Sequence, residues 1–296
     1  MKRVAFLGLG AIGAPMAEHL ALPPFELSVW NRTRAKADKF AANHSARVAT
    51  TPAEAVRGAE IVVTCLPSSR EVGEVLQGPG GILEALEAGA ILVDCTSGDP
   101  AVSREFAATL KSRGAFFMDA PVSGGVVGAK AGTLTVMCGG EPAVVQGARP
   151  VLEAFGKKIV LCGPVGSGHA VKAVSNALLA VQVWSTAEAL AALKRMGVSA
   201  AIALDVINAS AGRSNASQNL FPERVLTRAF PRTFRLALLD KDIGIATKLA
   251  AEAGAPVPLL DLAARLTHEA RIELGEEADH VEAVKVVETR AGVKIE

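Results

Sequence analysis

A glycine-rich loop near the start of the chain constrains the fold more than any other feature. The stretch VAFLGLGAIGAPMAEHL carries Gly8, Gly10 and Gly13 in the spacing G-x-G-x-x-G, directly after an apolar run and at the beginning of a helical pattern. The first glycine permits a tight turn, the second lets a pyrophosphate approach the backbone, and the third allows close packing of helix on strand. The loop therefore predicts a dinucleotide-binding domain. The expected cofactor-binding residues of this loop are Gly8, Leu9, Gly10, Ala11, Ile12 and Gly13.

The first half of the chain alternates short apolar runs with helical patterns. This alternation predicts an α/β domain with a doubly wound, mostly parallel sheet and helices on both faces. The predicted strands are 4–7, 27–30, 61–66, 91–94, 116–119, 134–138 and 159–162. The predicted helices between the early strands are 12–20, 34–42, 52–57, 71–77 and 101–113.

The pattern changes after residue 164, and only helical periods follow. The first of these, about 168–196, is unusually long, and apolar positions such as Val174, Leu178 and Leu190 predict that it is buried against several partners. The further predicted helices are 200–209, 217–228, 240–253, 258–274 and 280–290. We therefore expect a Rossmann-type NADP-binding domain over 1–164 and an all-helical substrate and oligomerisation domain over 165–296.

Composition excludes several classes of protein. The net charge is +1, aromatic residues make up 4% of the chain and tyrosine is absent, so neither a nucleic-acid-binding surface nor a base-stacking platform is expected. Four scattered cysteines and five dispersed histidines give no metal-ligand spacing, and the cysteines are interpreted as reduced thiols of a cytoplasmic protein. The basic, apolar N-terminus also has the outline of a secretory signal, but it would contain the glycine loop. No apolar run approaches the roughly 18–20 residues of a membrane-spanning helix.

The end of the second predicted strand indicates which dinucleotide binds. An NAD site usually ends this strand with Asp or Glu, which accepts a hydrogen bond from the ribose 2′-hydroxyl. The stretch LSVWNRTRAK has Asn31, Arg32 and Thr33 there instead. A carboxylate would repel a 2′-phosphate, whereas arginine pairs with it, so the sequence favours NADP over NAD. The alternative is that Arg32 stacks on the adenine and contributes little to selectivity.

Two further stretches carry polar residues in a pattern that indicates chemistry. DAPVSGGVVGAKAGTL, residues 119–134, is interpreted as a loop too rich in glycine to form a helix, in which Ser123, Gly124 and Gly125 can hold a carboxylate; a purely structural turn is the alternative. GSGHAVKAVSN places Lys172 and Asn176 at i and i+4, on one face of a helix. A lysine whose pKa is lowered by burial can take a hydroxyl proton, and an amide one turn away can orient the substrate.

Four motifs in this order and spacing resemble those of the β-hydroxyacid dehydrogenase family. They are the glycine loop, DAPVSGG, GSGHAVKAVSN and KDIGIA at residues 241–246, and SAGRSNAS at 210–217 is most similar to the 3-hydroxyisobutyrate branch. The resemblance implies NAD(P)-dependent interconversion of a small β-hydroxy acid and its semialdehyde in a homodimer or homotetramer. It makes Lys172 the catalytic acid and base, and it assigns Ser123, Gly124, Gly125, Asn176 and Lys241 to the substrate. Lys241 also closes over the cofactor, and the nicotinamide side is lined by Leu66, Pro67 and Thr96.

The sequence departs from the family at two positions. Ile12 replaces a methionine often found in the glycine loop, and Asn31 stands where NAD-using members have an acidic residue. The cofactor half thus resembles NADP-using reductases, so a short-chain semialdehyde or glyoxylate reductase is an alternative. A non-catalytic nucleotide-binding module and a dehydrogenase of the 6-phosphogluconate type are the two remaining alternatives. His169, three residues before Lys172, is as compatible with packing as with chemistry.

Overall fold

Nine strands form one sheet in the first of two compact units, Met1–Lys172 and Ala173–Glu296. The computed structural model describes residues 1–296. The strands are β1 (Lys2–Leu7), β2 (Phe25–Trp30), β3 (Arg47–Val48), β4 (Ile61–Thr64), β5 (Ile91–Asp94), β6 (Phe116–Asp119), β7 (Val122–Ser123), β8 (Leu134–Gly139) and β9 (Gly156–Gly163). Their order is β3-β2-β1-β4-β5-β6-β8-β7, with β9 paired to β8. All pairs are parallel except those of β8 with β6 and with β7, which confirms the predicted, mostly parallel sheet.

Helices cover both faces of this sheet. Alternate residues of β1 point to opposite faces, so Phe6 packs in one apolar cluster with Leu20 and Leu152, whereas Leu7 packs in another with Leu110. The helices of the first unit are α1 (Gly13–Leu20), α2 (Arg34–Ala41), α3 (Pro52–Val56), α4 (Ser69–Gln77), α5 (Pro100–Lys111), α6 (Gly125–Ala131) and α7 (Pro142–Phe155). Burial of both faces explains why the strands are continuous apolar runs instead of alternating patterns.

The prediction that residues 119–134 form no helix is wrong, because α6 occupies Gly125–Ala131. Glycine is needed here for shape: Gly124 has φ 134°, and a Cβ on Gly128 would lie 3.3 Å from Cδ2 of Leu134. The small residues let a short helix pack closely on its neighbours, and this gain in packing outweighs the poor helix propensity of glycine. Helix α7 was not predicted either, although Pro142 at its first position is a common helix start.

The second unit is helical. Helix α8 (Ser167–Arg195) begins in the first unit and continues into the second, where it is followed by α9 (Ala200–Asn208), a π-helix (Ala216–Val225), α10 (Leu236–Glu252), α11 (Pro258–Leu274), a 3₁₀ helix (His280–Ala283) and α12 (Val284–Ala291). Its main core contains Trp184, Leu190 and Phe221. The indole N–H of Trp184 donates to Oγ1 of Thr267 at 3.0 Å, so the polar atom of this buried ring is satisfied. The all-helical prediction is confirmed, although the segment predicted as an α-helix at 217–228 is largely π-helical.

The predicted burial of α8 is wrong for part of its apolar residues. Val174 and Leu178 are 42% and 51% exposed, whereas Ala173 and Ala177 are buried against α10. Alanine allows two helices to approach closely, so the alanine face forms the contact and the larger residues remain outside. No helix of the chain combines the length and apolar character needed to cross a membrane.

Candidate active site

The glycine loop lies between the end of β1 and the start of α1, where the strand order reverses direction. Gly8 has φ 110°, and a Cβ on it would lie 2.3 Å from the carbonyl oxygen of Cys65. A Cβ on Gly13 would lie 2.0 Å from the carbonyl oxygen of Gly8, whereas a Cβ on Gly10 would meet nothing within 4 Å. The first and third glycines are thus required by backbone packing, and the second leaves open space beside the helix start. This space and this backbone fit the pyrophosphate of a dinucleotide.

Asn31 connects the tip of β2 to the glycine loop. Its side-chain Oδ1 accepts a hydrogen bond from the backbone N–H of Leu9 at 2.9 Å, and its Nδ2 donates to the carbonyl oxygen of Thr33 at 3.0 Å. Arg32 and Thr33 are exposed beyond it. An amide therefore occupies the place where a ribose-binding carboxylate would stand, with an arginine next to it.

The residues that follow β4 and β5 are brought together by hydrogen bonds. The backbone N–H of Leu66 donates to Oγ1 of Thr96 at 3.1 Å, and Pro67 follows directly. The backbone N–H of Thr96 and the hydroxyl of Thr64 both donate to Oδ1 of the buried Asp94, at 3.1 and 2.8 Å. These bonds fix the predicted nicotinamide-lining residues at the same sheet edge as the glycine loop.

The loop assigned to the substrate carboxylate begins at the end of β7. Ser123 pairs with Thr135 of β8, and Gly124 and Gly125 both have positive φ, 134° and 63°. A Cβ on Gly125 would meet nothing within 4 Å. The backbone of Gly125 is therefore open to approach from outside, as a carboxylate-binding loop requires.

Lys172 is half-buried on α8, and the first turn of that helix is held by a carboxylate from β6. Asp119, the last residue of β6, accepts hydrogen bonds from the backbone N–H of Gly166 at 2.7 Å and of His169 at 2.8 Å. Burial raises the pKa of Asp119 above its ordinary value, although the nearby His169 and the two N–H donors act in the opposite direction. Lys172 follows His169 by one turn of the helix.

The imidazole of His169 is buried among polar groups of β5 and α5. Its Nδ1 lies 2.7 Å from Oγ of Ser103, and its Nε2 lies 4.0 Å from Oδ2 of Asp94 and has no hydrogen-bond partner. A Cβ on Gly98 would lie 2.8 Å from Cε1 of the ring, so glycine is needed there to make room for it. His169 is therefore a packed, buried residue of the helix start.

Two predicted substrate residues share one carboxylate in the second unit. Nδ2 of Asn176 donates to Oδ2 of Asp242 at 2.5 Å, and Nζ of Lys241 donates to Oδ1 of Asp242 at 2.7 Å. Asp242 and Asn176 are both buried. The carboxylate fixes the amide plane of Asn176 and holds the Lys241 ammonium beside it.

The carboxylates at the strand ends, Asp94 and Asp119, are the polar residues that sequence reasoning missed. The sequence does contain a signal for these two residues, because each aspartate ends a predicted strand that is otherwise apolar. The cysteines nearby are not candidate nucleophiles. Burial raises the pKa of Cys65 and of Cys138 to about 12, which leaves almost no thiolate at neutral pH.

Comparison with known proteins gives matches along almost the whole chain. Residues 3–163 match the model of the NAD-binding domain of 6-phosphogluconate dehydrogenase, and residues 166–287 match a model described as the NAD-binding domain of NADP-dependent 3-hydroxyisobutyrate dehydrogenase. The 2-(hydroxymethyl)glutarate dehydrogenase of Eubacterium barkeri is 34% identical over 99% of this chain and 97% of its own length. The mitochondrial 3-hydroxyisobutyrate dehydrogenase of Mus musculus is 36% identical over 88% of this chain and 79% of its own. A structure of 3-hydroxyisobutyrate dehydrogenase from Mycobacterium tuberculosis with L-serine has a TM-score of 0.89 at 33% identity, covering 97% of this chain and 99% of that one.

Proposed function

Because the chain belongs to the 3-hydroxyisobutyrate dehydrogenase family of β-hydroxyacid dehydrogenases, and so is an NAD(P)-binding oxidoreductase acting on CH–OH groups, we propose that it interconverts a small β-hydroxy acid and its semialdehyde with Lys172 as general acid and base. The observation that carries this proposal is the arrangement on α8. Lys172 is half-buried one turn before Asn176, whose amide is held by a buried carboxylate.

Lys172 moves the hydroxyl proton. In the oxidative direction its neutral amine accepts the O–H proton of the alcohol, and in the reductive direction its ammonium returns that proton to the carbonyl oxygen. When bound, the nicotinamide cofactor supplies the acceptor or donor of the hydride. The rest of the chemistry consists of positioning, because the hydroxyl proton and the hydride must both leave the same CH–OH group to form the carbonyl.

Four further residues orient the substrate in this proposal. Ser123 and the open backbone of Gly125 hold the carboxylate, and the amide of Asn176 hydrogen-bonds to the substrate hydroxyl. The ammonium of Lys241, held by Asp242, can donate a charge-assisted hydrogen bond to an anionic ligand. A group held by a buried partner loses less conformational entropy when it binds the substrate, so the Asp242 contacts support both assignments.

The named relatives point to one substrate skeleton. 3-Hydroxyisobutyrate, L-serine and 2-(hydroxymethyl)glutarate all contain a primary alcohol on the carbon next to C2 of a carboxylic acid, and they differ only in the substituent on C2. We propose that this chain acts on the same skeleton, with 3-hydroxyisobutyrate as the first candidate.

The preferred cofactor in this proposal is NADP. Asn31 replaces the carboxylate that would repel a 2′-phosphate, and the exposed Arg32 beside it can pair with that phosphate. The same feature favours the second candidate function, a short-chain semialdehyde or glyoxylate reductase that uses NADPH. The two candidates share the chemistry at Lys172 and differ in substrate and direction.

The test is a set of initial rates with NAD and with NADP. The acids are 3-hydroxyisobutyrate, 3-hydroxypropionate, L-serine, glycerate and 2-(hydroxymethyl)glutarate, with 4-hydroxybutyrate as the control whose hydroxyl is one carbon farther away. Reduction of glyoxylate and succinic semialdehyde by NADPH tests the second candidate. We expect turnover of a β-hydroxy acid with NADP. Failure of every acid and aldehyde, despite nucleotide binding, would overturn both candidates and favour a binding module.

Variants separate the cofactor argument from the substrate argument. Arg32→Ala should raise KM for NADP by about 10-fold or more, because a charge-assisted hydrogen bond is lost, and should leave KM for NAD unchanged. Arg57→Ala removes another exposed arginine of the same unit and serves as its control. Equal effects of Arg32→Ala on both cofactors would contradict its role in selectivity.

A homodimer or homotetramer in the cytoplasm completes the proposal. The exposed apolar side chains of Val174 and Leu178 lie along one side of α8 and support contact with a second copy. The free thiols of all four cysteines are compatible with a reducing compartment. Light scattering after size-exclusion chromatography tests the assembly, and a monomer at micromolar concentration would contradict it.

A further inference from the structure

The carboxylate of Asp119 occupies the position of a helix cap, although it belongs to a different element. The carbonyl oxygen of Gly166 accepts the first bond of α8, from the N–H of Ala170 at 2.9 Å, so Gly166 is the cap residue. Asp119 accepts from the N–H of Gly166 and from that of His169, with one oxygen for each. A capping box satisfies the same two N–H groups with two side chains of the helix itself. Here one carboxylate from β6 performs both tasks.

This cap ties the helix to the sheet at very short range. A Cβ on Gly168 would lie 2.1 Å from the carbonyl oxygen of Met137 and 2.9 Å from Oδ2 of Asp119. A Cβ on Gly139, which pairs with Asp119 in the sheet, would lie 2.4 Å from Oδ1. Glycines on both sides therefore let the carboxylate sit between strand and helix, and they leave it little freedom to move.

The side chain of His169 provides a second contact for the same turn. Its ring is held by Ser103 of α5 and lies beside Asp94 at the end of β5. The first turn of α8 is thus fixed through its backbone by β6 and through a side chain by β5 and α5. Lys172 is the next residue on this side of the helix, three positions after His169.

We propose that Asp119, with His169 as a second contact, is a positioning residue that sets the location of the Lys172 amine. The inference rests on the proposed role of Lys172. A general base must lie within hydrogen-bond reach of the proton that it takes, and a displacement of about 1 Å can cost on the order of 10²-fold in rate. No hydrogen bond joins the glycine loop or Arg32 to Asp119 or His169, so Kd for NADP should change little in the Asp119 variant.

The test compares Asp119→Asn with Asp279→Asn. Asp279 is also a buried carboxylate that accepts backbone N–H bonds, from Thr233, Phe234 and Val281, but it lies in the second unit. Asparagine retains one acceptor oxygen in each case. We expect Asp119→Asn to lower kcat about 10- to 100-fold, with KM for the hydroxy acid and Kd for NADP within about twofold of wild type. Asp279→Asn should lower the unfolding midpoint and leave kcat unchanged.

Two outcomes would overturn the inference. Equal kcat values in the two variants would make Asp119 a structural residue only, and so would a loss confined to KM or to NADP binding. If Asp119→Asn does not fold, Ser103→Ala replaces it as the test, because it removes the hydrogen bond that holds the His169 ring. This variant must lower kcat and leave KM and NADP binding unchanged. Lys172→Ala, measured in parallel, separates the two claims. Wild-type kcat in Lys172→Ala would overturn both, whereas loss there with wild-type kcat in Asp119→Asn would overturn the positioning alone.

Discussion

Asp119 of the first unit and Asp279 of the helical unit have similar places in the fold but differ in their electrostatics. Each is buried, and each accepts backbone N–H bonds at the start of a helix. Burial opposes the ionisation of both, yet the pKa of Asp279 is lowered, because His280 and the N–H groups of Thr233 and Phe234 outweigh the burial. The pKa of Asp119 is raised, because its two N–H donors and His169 do not outweigh it.

The opposite pKa shifts imply opposite effects on stability: ionised Asp279 stabilises the fold, whereas ionisation of Asp119 lowers its stability. A carboxylate with a lowered pKa contributes stability at neutral pH, and one with a raised pKa subtracts from it. The burial and the hydrogen bonds of Asp279 are thus explained by its contribution to the stability of the fold. Burial opposes the ionisation of Asp119, whose carboxylate caps the turn before Lys172.

Among substitutions around the two carboxylates, Gly168→Ala should have the largest effect. The added methyl group would overlap the carbonyl oxygen of Met137 and press on Asp119, so the first turn of α8 must move. We expect kcat to fall by at least about 10²-fold, with a loss of roughly 1–3 kcal/mol in the free energy of unfolding. Kinetics and urea unfolding measure the two effects.

Gly73→Ala is the matched control for this variant. It makes the same change inside α4, where the new Cβ would lie 3.4 Å from Cζ of Phe106, an ordinary contact. It should stabilise the protein by up to about 1 kcal/mol and leave kcat unchanged. Similar kcat values for the two alanine variants would remove the link between the helix start and Lys172.

A smaller effect, in stability and not in rate, is expected at Asp279. Because its folded-state pKa lies below that of the unfolded chain, its contribution is complete above the ordinary aspartate value of about 3.9 and is lost as the pH falls below that value. Asp279→Asn should cost about 2 kcal/mol at pH 7, and the difference from wild type should shrink as the pH falls below about 4. Urea unfolding at a series of pH values measures this.

Asp119→Asn should show the opposite dependence on pH. Its raised pKa means that wild-type stability declines as the pH rises from about 3.9 through the folded-state value, and the variant lacks this decline. The cost of Asp119→Asn at pH 7 should therefore be smaller than that of Asp279→Asn. A larger cost at Asp119 would contradict the contrast between the two carboxylates.

The smallest effect concerns the thiols, which all lie in the first unit. Burial raises the pKa of Cys65, Cys95 and Cys138, so alkylation of these three thiols in the native protein at pH 8 should be slow compared with the unfolded chain. Asp279→Asn should leave this rate within about twofold, because the substitution lies in the other unit. Rapid labelling of native Cys65 would show that the end of β4 is open to solvent.

The sequence predicted the sheet well because its strands are buried on both faces. Runs such as those at 61–64 and 91–94 contain almost only β-branched and apolar residues between turn residues, and such a pattern has few other interpretations. Strand β3 was missed because two residues give no pattern.

Features that depend on close packing could not be predicted in this way. Helix α6 forms despite the low helix propensity of its glycines. The reason for a glycine at position 128 is the close contact with Leu134, which the sequence does not reveal. The exposed stripe at Val174 and Leu178 was interpreted as core, because periodicity shows that a helix has an apolar face but not which face is covered. The link from Asp119 to Gly166 joins residues that are 47 positions apart, and nothing local signals it.

The most direct test of the proposed chemistry is chemical rescue of Lys172→Ala. Hydride transfer from 3-hydroxyisobutyrate to NADP, or from the best acid of the panel, is followed by the absorbance of the reduced nicotinamide, with and without a small primary amine. We predict a rate lower by about 10²- to 10⁴-fold, unchanged NADP binding, and partial recovery with the amine, which can take the hydroxyl proton in place of the side chain. A wild-type rate in the variant would contradict the assignment of Lys172 as the general acid and base.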